Sequence, residues 1–250
     1  MSSVETTSTP ESLASLSTDE LKTRLLDLVK GQDELSVSKK VRFFKERLAP
    51  YFDELEKRNP TPDVHEQIPL VQGTWLSVWS TIPFQDILPG RVRSQSYQIF
   101  ADNGYYANLA RYRPGRKTPI LSWFAKRLLS YDLMILQTYA VGEGTPEDSA
   151  QQTWEIENIG IQQKLKVGAI ALSPANAQNW FDQAMAEYKE KQDNPLEIES
   201  ADRATRKKYE GVYKAKPQLE HLYIDKDFRL VLSRREKSQR PSYTITTRIT

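Results

Sequence analysis

The sequence predicts a mainly β protein, a sandwich or a closed up-and-down barrel, led by a helical segment and interrupted by one further helix. Three observations predict it. Apolar residues recur every three to four positions up to residue 62, then shift toward a period of two from Gly73 onward. Roughly eight short apolar runs follow, separated by turn signals at the spacing expected of sandwiches and barrels. Twelve Tyr, eight Phe and five Trp supply the aromatic side chains that strands favour. Residues 1–16 read as a disordered leader, 17–62 as a helical segment, and 73–250 as the β domain with a helical insertion around 173–192.

Ser17 and Glu20 form a capping-box pattern with Asp19 in the first turn. Leu21, Leu25 and Leu28 then share one face, and Gly31 is a natural stop. Val41, Phe44, Leu48, Phe52 and Leu55 predict a second helix that Pro50 should kink or split. Asn59-Pro60-Thr61-Pro62 ends it, and His65 follows in a Pro-rich connector.

The stretch 75–81 is the first strand. Two more, 94–101 and 105–113, flank Asp102-Asn103-Gly104, a strong hairpin signal. A three-residue loop sets Tyr97 opposite Leu109 and Ile99 opposite Ala107, with apolar groups on one face. A two-residue loop would set Ile99 opposite Asn108, so the first register is preferred. Residues 129–141 form a strand, 142–148 a turn, and 151–167 two strands around Gly160. Ser173 caps a helix with Pro174 at its first position, and Trp180, Phe181, Ala184, Met185 and Tyr188 make its apolar stripe. The highly charged stretch 196–217 shows no assignable period. Residues 219–224 and 228–232 are strands around Asp225-Lys226-Asp227, and 243–249 alternates cleanly as the last strand.

Composition excludes several chemistries. With no cysteine there are no disulfides, thiolate metal sites or cysteine nucleophiles. A net charge of +2 gives no bulk electrostatic reason to bind nucleic acid. No apolar run approaches the roughly 20 residues of a spanning helix, so membrane contact is expected to be peripheral. Residues 1–10 carry Glu5, no Lys or Arg and no apolar core, unlike a signal or transit peptide. Only His65 and His221 are present, and Pro69 stands where a His-Glu-x-x-His motif needs its second histidine. Gly142-Glu143-Gly144 lacks the third glycine of a dinucleotide fingerprint. Glu155 and Glu157 share one strand face, as outward polar residues do. No catalytic residue, metal or cofactor is expected.

Binding candidates remain. Trp75 and Trp79, four apart on one strand, are expected to face the same way, lining an apolar cavity, or else closing the barrel bottom or packing on the N-terminal helices. Tyr97, Tyr106, Tyr139 and Trp154 combine apolar bodies with polar tips, suiting a ligand head group or ordinary core. Asp225, Asp227 and Arg229 form either an ion pair at a barrel mouth or a turn whose Asp side chains cap backbone N–H groups; the turn is preferred. Arg113, Arg116 and Lys117 precede Trp123 and Phe124, a mixture that suits an anionic membrane surface or a loop tucked into the barrel. The basic run from Arg203 to Lys216, interleaved with acids, reads as a solvated face.

Four segments occur in a telling order: Leu25-Leu26-Asp27-Leu28, Leu55-Glu56-Lys57-Arg58-Asn59-Pro60, Gly73-Thr74-Trp75-Leu76-Ser77-Val78-Trp79-Ser80-Thr81 and Tyr223-Ile224-Asp225-Lys226-Asp227-Phe228-Arg229-Leu230. Together they resemble the plastid lipid-associated proteins, also called fibrillins. The chain departs from that pattern at the basic stretch 234–241 and at the helix beginning near Ser173. The resemblance implies a lipocalin-like antiparallel β-barrel of cyanobacterial or plastid origin, cytoplasmic or associated with thylakoids or lipid globules. It also implies a link to carotenoid or prenylquinone storage, photoprotection and stress tolerance. The expected function is non-catalytic binding of a lipophilic small molecule, with peripheral membrane contact. Two other readings are a protein-interaction scaffold with a filled barrel, docking through the Trp180 helix, and a bilin lyase-like protein, since bilin lyases share such barrels.

Overall fold

The computed structural model describes residues 13–82, 91–114, 129–142, 153–167, 171–190, 216–234 and 240–249. Helix α1 (Thr18–Val29) starts at the expected capping box: Glu20 N–H donates to Ser17 Oγ at 3.3 Å, and Ser17 N–H donates to the Glu20 carboxylate at 2.8 Å. Helices α2 (Val37–Phe43) and α3 (Ala49–Lys57) are joined by a π-helical turn, Phe44–Leu48. The break expected at Pro50 is therefore a widened turn just before it. A proline lacks an N–H and its ring collides with the carbonyl four residues back, and the wider turn relieves both. The connector expected around His65 is instead a short helix, α4 (Val64–Val71), capped by Asp63, whose carboxylate accepts from His65 N–H at 2.7 Å. Leu13 is 1 % exposed among the α1–α3 core residues, so packing begins inside the span expected as a leader.

Eight strands follow: β1 (Gly73–Ser80), β2 (Arg91–Phe100), β3 (Tyr105–Pro114), β4 (Leu129–Val141), β5 (Trp154–Val167), β6 (Gln218–Ile224), β7 (Phe228–Arg234) and β8 (Ser242–Arg248). Each pairs antiparallel with its neighbour in sequence, and β8 returns to β1, so the chain makes one ring-like antiparallel sheet. The β2–β3 hairpin adopts the preferred register, Tyr97 opposite Leu109 and Ile99 opposite Ala107. The stretch expected as two strands around Gly160 is the single strand β5. Its irregularity is a bulge: Leu136 pairs with Gly160 and Gln137 with Asn158, which leaves Ile159 as the extra residue. The seam between β5 and β6 is thin, with only Trp154 opposite Leu219 and Glu155 opposite Gln218. Beyond Ile156, the outer edge of β5 has no strand partner among the described residues.

Alternation sorts the side chains onto two faces. The outer face of β6, β7, β8 and the end of β1 packs under α1–α3: Trp79, Leu230, Leu232 and Ile245 meet Leu21, Leu25, Phe44, Phe52 and Leu55. Helix α5 (Pro174–Glu190) covers the outer face of β2–β5, where Tyr97, Ile99, Leu109, Met134 and Leu136 meet Ala177, Trp180, Phe181 and Ala184. The inner face gathers Trp75, Phe100, Tyr106, Tyr139, Trp154, Ile156, Ile224 and Val231 around Val64 and Val71 of α4, which closes that end of the ring. No described helix is long and apolar enough to cross a membrane, a statement that does not extend to strands.

Arg248 fastens α4 to the ring. Its guanidinium lies 4.1 Å over the Trp75 ring and donates to Gln72 O at 2.6 Å and to Leu70 O and Lys226 O. Gly73 makes the turn into β1 at φ +104°, and a Cβ there would sit 2.9 Å from Arg248 Nη1. Replacing Arg248 by Met keeps an apolar stem but leaves three carbonyls without their charged donor. Arg248→Met is expected to lower stability by about 2–3 kcal/mol in urea unfolding followed by tryptophan fluorescence. A loss below about 0.5 kcal/mol would show that other contacts hold α4.

Candidate functional site

Inward alternation places a chain of polar groups across the middle of the ring. Arg229, on β7, is 0 % exposed. Its Nε donates to Thr246 Oγ1 at 3.1 Å and its Nη2 to Gln98 Oε1. Gln98 Nε2 donates to Tyr106 Oη at 2.9 Å and to Asn108 Oδ1 at 3.2 Å, and the Tyr106 hydroxyl donates to Asn108 Oδ1 at 2.7 Å. Asn108 Nδ2 donates to Gln137 Oε1 at 2.7 Å, and Gln137 Nε2 to Asn158 Oδ1 at 2.6 Å. The register makes this possible, since Gln98 lies opposite Asn108 and Gln137 opposite Asn158. Burial raises the Tyr106 hydroxyl well above its usual pKa, so it stays a neutral donor.

The Arg229 guanidinium lies 4.4 Å over Trp75 and 4.9 Å over Phe100, two contacts that stabilise a desolvated cation. Burial pulls its pKa down to about 9, which leaves it charged at neutral pH. Among the described residues no carboxylate pairs with it, and its Nη1 has no hydrogen-bond partner.

His221, on β6, is buried against Trp154 on the same inner face. Gln67 of α4 fixes its tautomer. Gln67 Nε2 donates to Thr61 O at 3.0 Å, and Gln67 Oε1 accepts from Trp154 Nε1 at 3.0 Å. The same Oε1 lies 2.9 Å from His221 Nδ1, so Nδ1 carries the proton and Nε2 keeps its lone pair. Nε2 has no partner among the described residues. Burial, then the positive charge of Arg229, holds the His221 pKa well below 6.5.

The structure gathers Trp75, Tyr106, Tyr139, Trp154 and Arg229 on the inner face. The polar tips of all four aromatics are already engaged: Tyr106 in the amide chain, Trp75 Nε1 donating to Val71 O at 2.7 Å, Trp154 Nε1 to Gln67, and the Tyr139 hydroxyl to Ala101 O at 2.6 Å. Trp79 is a correction. A bulge between Ser77 and Trp79 turns it to the outer face, within 6.5 Å of the Phe43 and Phe44 rings, so it does not face the same way as Trp75. Tyr97 also lies outside, under α5, its hydroxyl donating to Leu172 O at 2.8 Å. Asp227 is exposed in the β6–β7 turn, where Asp225 Oδ1 accepts from Asp227 N–H at 2.9 Å and Phe228 N–H at 2.8 Å. Asp225 pairs with Lys22, and Arg229 points inward without either acid. Arg113 lies near the end of β3, whereas Arg116, Lys117, Trp123 and Phe124 lie outside the described residues. Residues that sequence reasoning missed are Gln67, Gln98, Asn108, Gln137 and Asn158. Their only signal is polarity at inward positions, which becomes visible once the faces are assigned.

Away from α4 the inner face changes character. Tyr131, Ile135 and Ile161 are half-buried, and Leu165, opposite Tyr131, is 67 % exposed. Small inward side chains, Ser77, Ser96 and Thr246, line the facing wall. Among the described residues no three His, Asp or Glu side chains cluster as a metal site. The arrangement is suited to holding a molecule with an apolar body and a polar end. Comparison of the sequence with protein-family models and with curated proteins found no match.

His221 gives the site a pH signature. The unfolded chain binds a proton at this side chain below about pH 6.5, where the folded protein still leaves it neutral. Stability therefore falls as pH drops through that range, by up to about 1.4 kcal/mol per pH unit. The difference in unfolding free energy between wild type and His221→Gln should be flat above pH 7 and should slope between pH 6.5 and 5. Parallel curves throughout would mean that His221 is accessible to protons in the folded state.

Proposed function

We propose that this protein binds a lipophilic small molecule inside its ring without transforming it, as a lipocalin-like barrel of the fibrillin type. The ligand class is a carotenoid, a prenylquinone or another lipid. The observation that most supports this reading is the contrast along the inner face. At the α4 end Trp75, Tyr106 and Trp154 are at most 1 % exposed, whereas farther along Ile135 and Ile161 are half-buried and Leu165 is 67 % exposed. An apolar concave surface left in contact with water gains by covering itself, at about 25 cal/mol per Å² before the costs of association. The closed end supplies a floor, and the buried amide chain supplies the few polar groups that orient a ligand.

The proposed setting is the surface of a thylakoid or lipid globule, in a cyanobacterium or a plastid, with a role in photoprotection or lipid storage. The stretch following Arg113, which includes Arg116, Lys117, Trp123 and Phe124, is the proposed peripheral membrane contact.

Protein purified from a photosynthetic host and extracted into organic solvent is expected to release a carotenoid, quinone or other lipid near one per chain by mass spectrometry. An empty extract, repeated after incubation with thylakoid lipids, would defeat the binding reading in favour of an interaction scaffold.

A further inference from the structure

Arg229 presents a charge problem that the described protein does not solve. Its guanidinium is 0 % exposed, and among the described residues its contacts are neutral: the oxygens of Gln98 and Thr246 and the rings of Trp75 and Phe100. Both N–H groups of Nη1 are without an acceptor among the described residues. A second cation, Arg248, is stacked on the same Trp75 and adds to the cost of the Arg229 charge. A buried charge is ordinarily paired, because removal from water is expensive and neutral dipoles offset it only in part. A trapped water would satisfy an N–H but leave the charge standing. An anionic oxygen would do both, through the short, charge-assisted bonds that guanidinium makes with carboxylate.

The surroundings indicate where the rest of such a ligand would go. The amide chain that begins at Arg229 passes through Asn108, which lies opposite Ile135, itself opposite Ile161. From the open Nη1, the inner face therefore runs through neutral amides to the exposed apolar surface ending at Leu165. Accepting the proposed lipophile-binding function, on which this rests, we propose that Arg229 Nη1 seats the carboxylate of an amphiphilic acid whose apolar chain covers Ile135, Ile161 and Leu165. The His221 imidazole, packed on Trp154 of the same inner face, is buried, feels the charge of Arg229 and has no partner for Nε2 among the described residues, so it is the natural reporter of the seat.

The test compares dodecanoate, methyl dodecanoate and acetate on the delipidated full-length protein. The ester keeps the tail and loses the charge, and acetate keeps the charge and loses the tail. Dodecanoate is expected to bind roughly 10- to 100-fold more tightly than the ester, with acetate failing to compete. Arg229→Met should bring the acid down to the affinity of the ester. Should that variant not fold, the wild-type ratio and the imidazole nitrogen spectrum decide. Two histidines give a simple spectrum, and the His221 Nε2 resonance should move with dodecanoate and stay put with the ester. Equal affinity for acid and ester, or tight acid binding with no His221 shift, overturns the seat while leaving lipophile binding intact. Acetate competing on equal terms overturns the amphiphile in favour of a bare anion site. Failure of both acid and ester to bind removes the seat together with the function it rests on.

Discussion

The fold turns on Trp75. Its backbone lies opposite Gln98 of β2 on one side and Arg248 of β8 on the other, so it stands at the seam that closes the ring. Its indole N–H holds the last carbonyl of α4, and Arg248, stacked on the ring, holds two more carbonyls beside it. Arg229 uses the same indole as a bed for its buried charge. Ring closure, the floor of the interior and the position of the interior cation thus share one side chain. The ring-like sheet pairs most of its strand edges, and α4 packs across one end of it.

Coverage then decides where a ligand can go. Both outer faces are apolar and both are covered, one by α1–α3 and the other by α5. Without those helices, side chains such as Ile245, Met134 and Leu109 would face water, each forgoing about 1.5–3 kcal/mol of burial. The inner face is the more polar one, with four amides and an arginine linked across β7, β2, β3, β4 and β5. Such a chain is stable only when its members are paired, and among the described residues Arg229 Nη1 is open, as is Nε2 of His221 on the same face. Unmet polar groups and exposed apolar surface therefore occur together inside the ring, and this coincidence gives the binding proposal its physical content.

The order of elements was legible in the sequence because local rules govern it. The capping box at Ser17, the hairpin at Asp102-Asn103-Gly104, the Ser173-Pro174 start of α5 and the alternation in β8 each depend on a few neighbouring residues. Which face points inward was not legible. A period of two identifies two faces, and when helices coat the outside both of them carry apolar residues. Tyr97 and Tyr106 look equivalent in sequence, yet one packs under α5 and the other faces the interior. Bulges add a second source of error, since one extra residue reverses every side chain beyond it. That is why Trp79 left the expected site, and why Gly160 reads as a break between strands when it lies within one. Helix α4 was hidden by its prolines, since Pro69 lies inside it and cannot donate the N–H that would reach back to His65 O.

The central claim is that the interior of the ring, and neither helix-coated outer face, receives the ligand. A long-chain acid carrying a nitroxide near its methyl end tests this most directly, through relaxation enhancement of isoleucine methyl signals. Ile135 and Ile161 face inward, while Ile99 and Ile159 lie under α5. Stronger broadening at Ile135 and Ile161 than at Ile99 and Ile159 is expected. Stronger broadening at Ile99 and Ile159 would place the ligand beneath α5 and contradict the interior site.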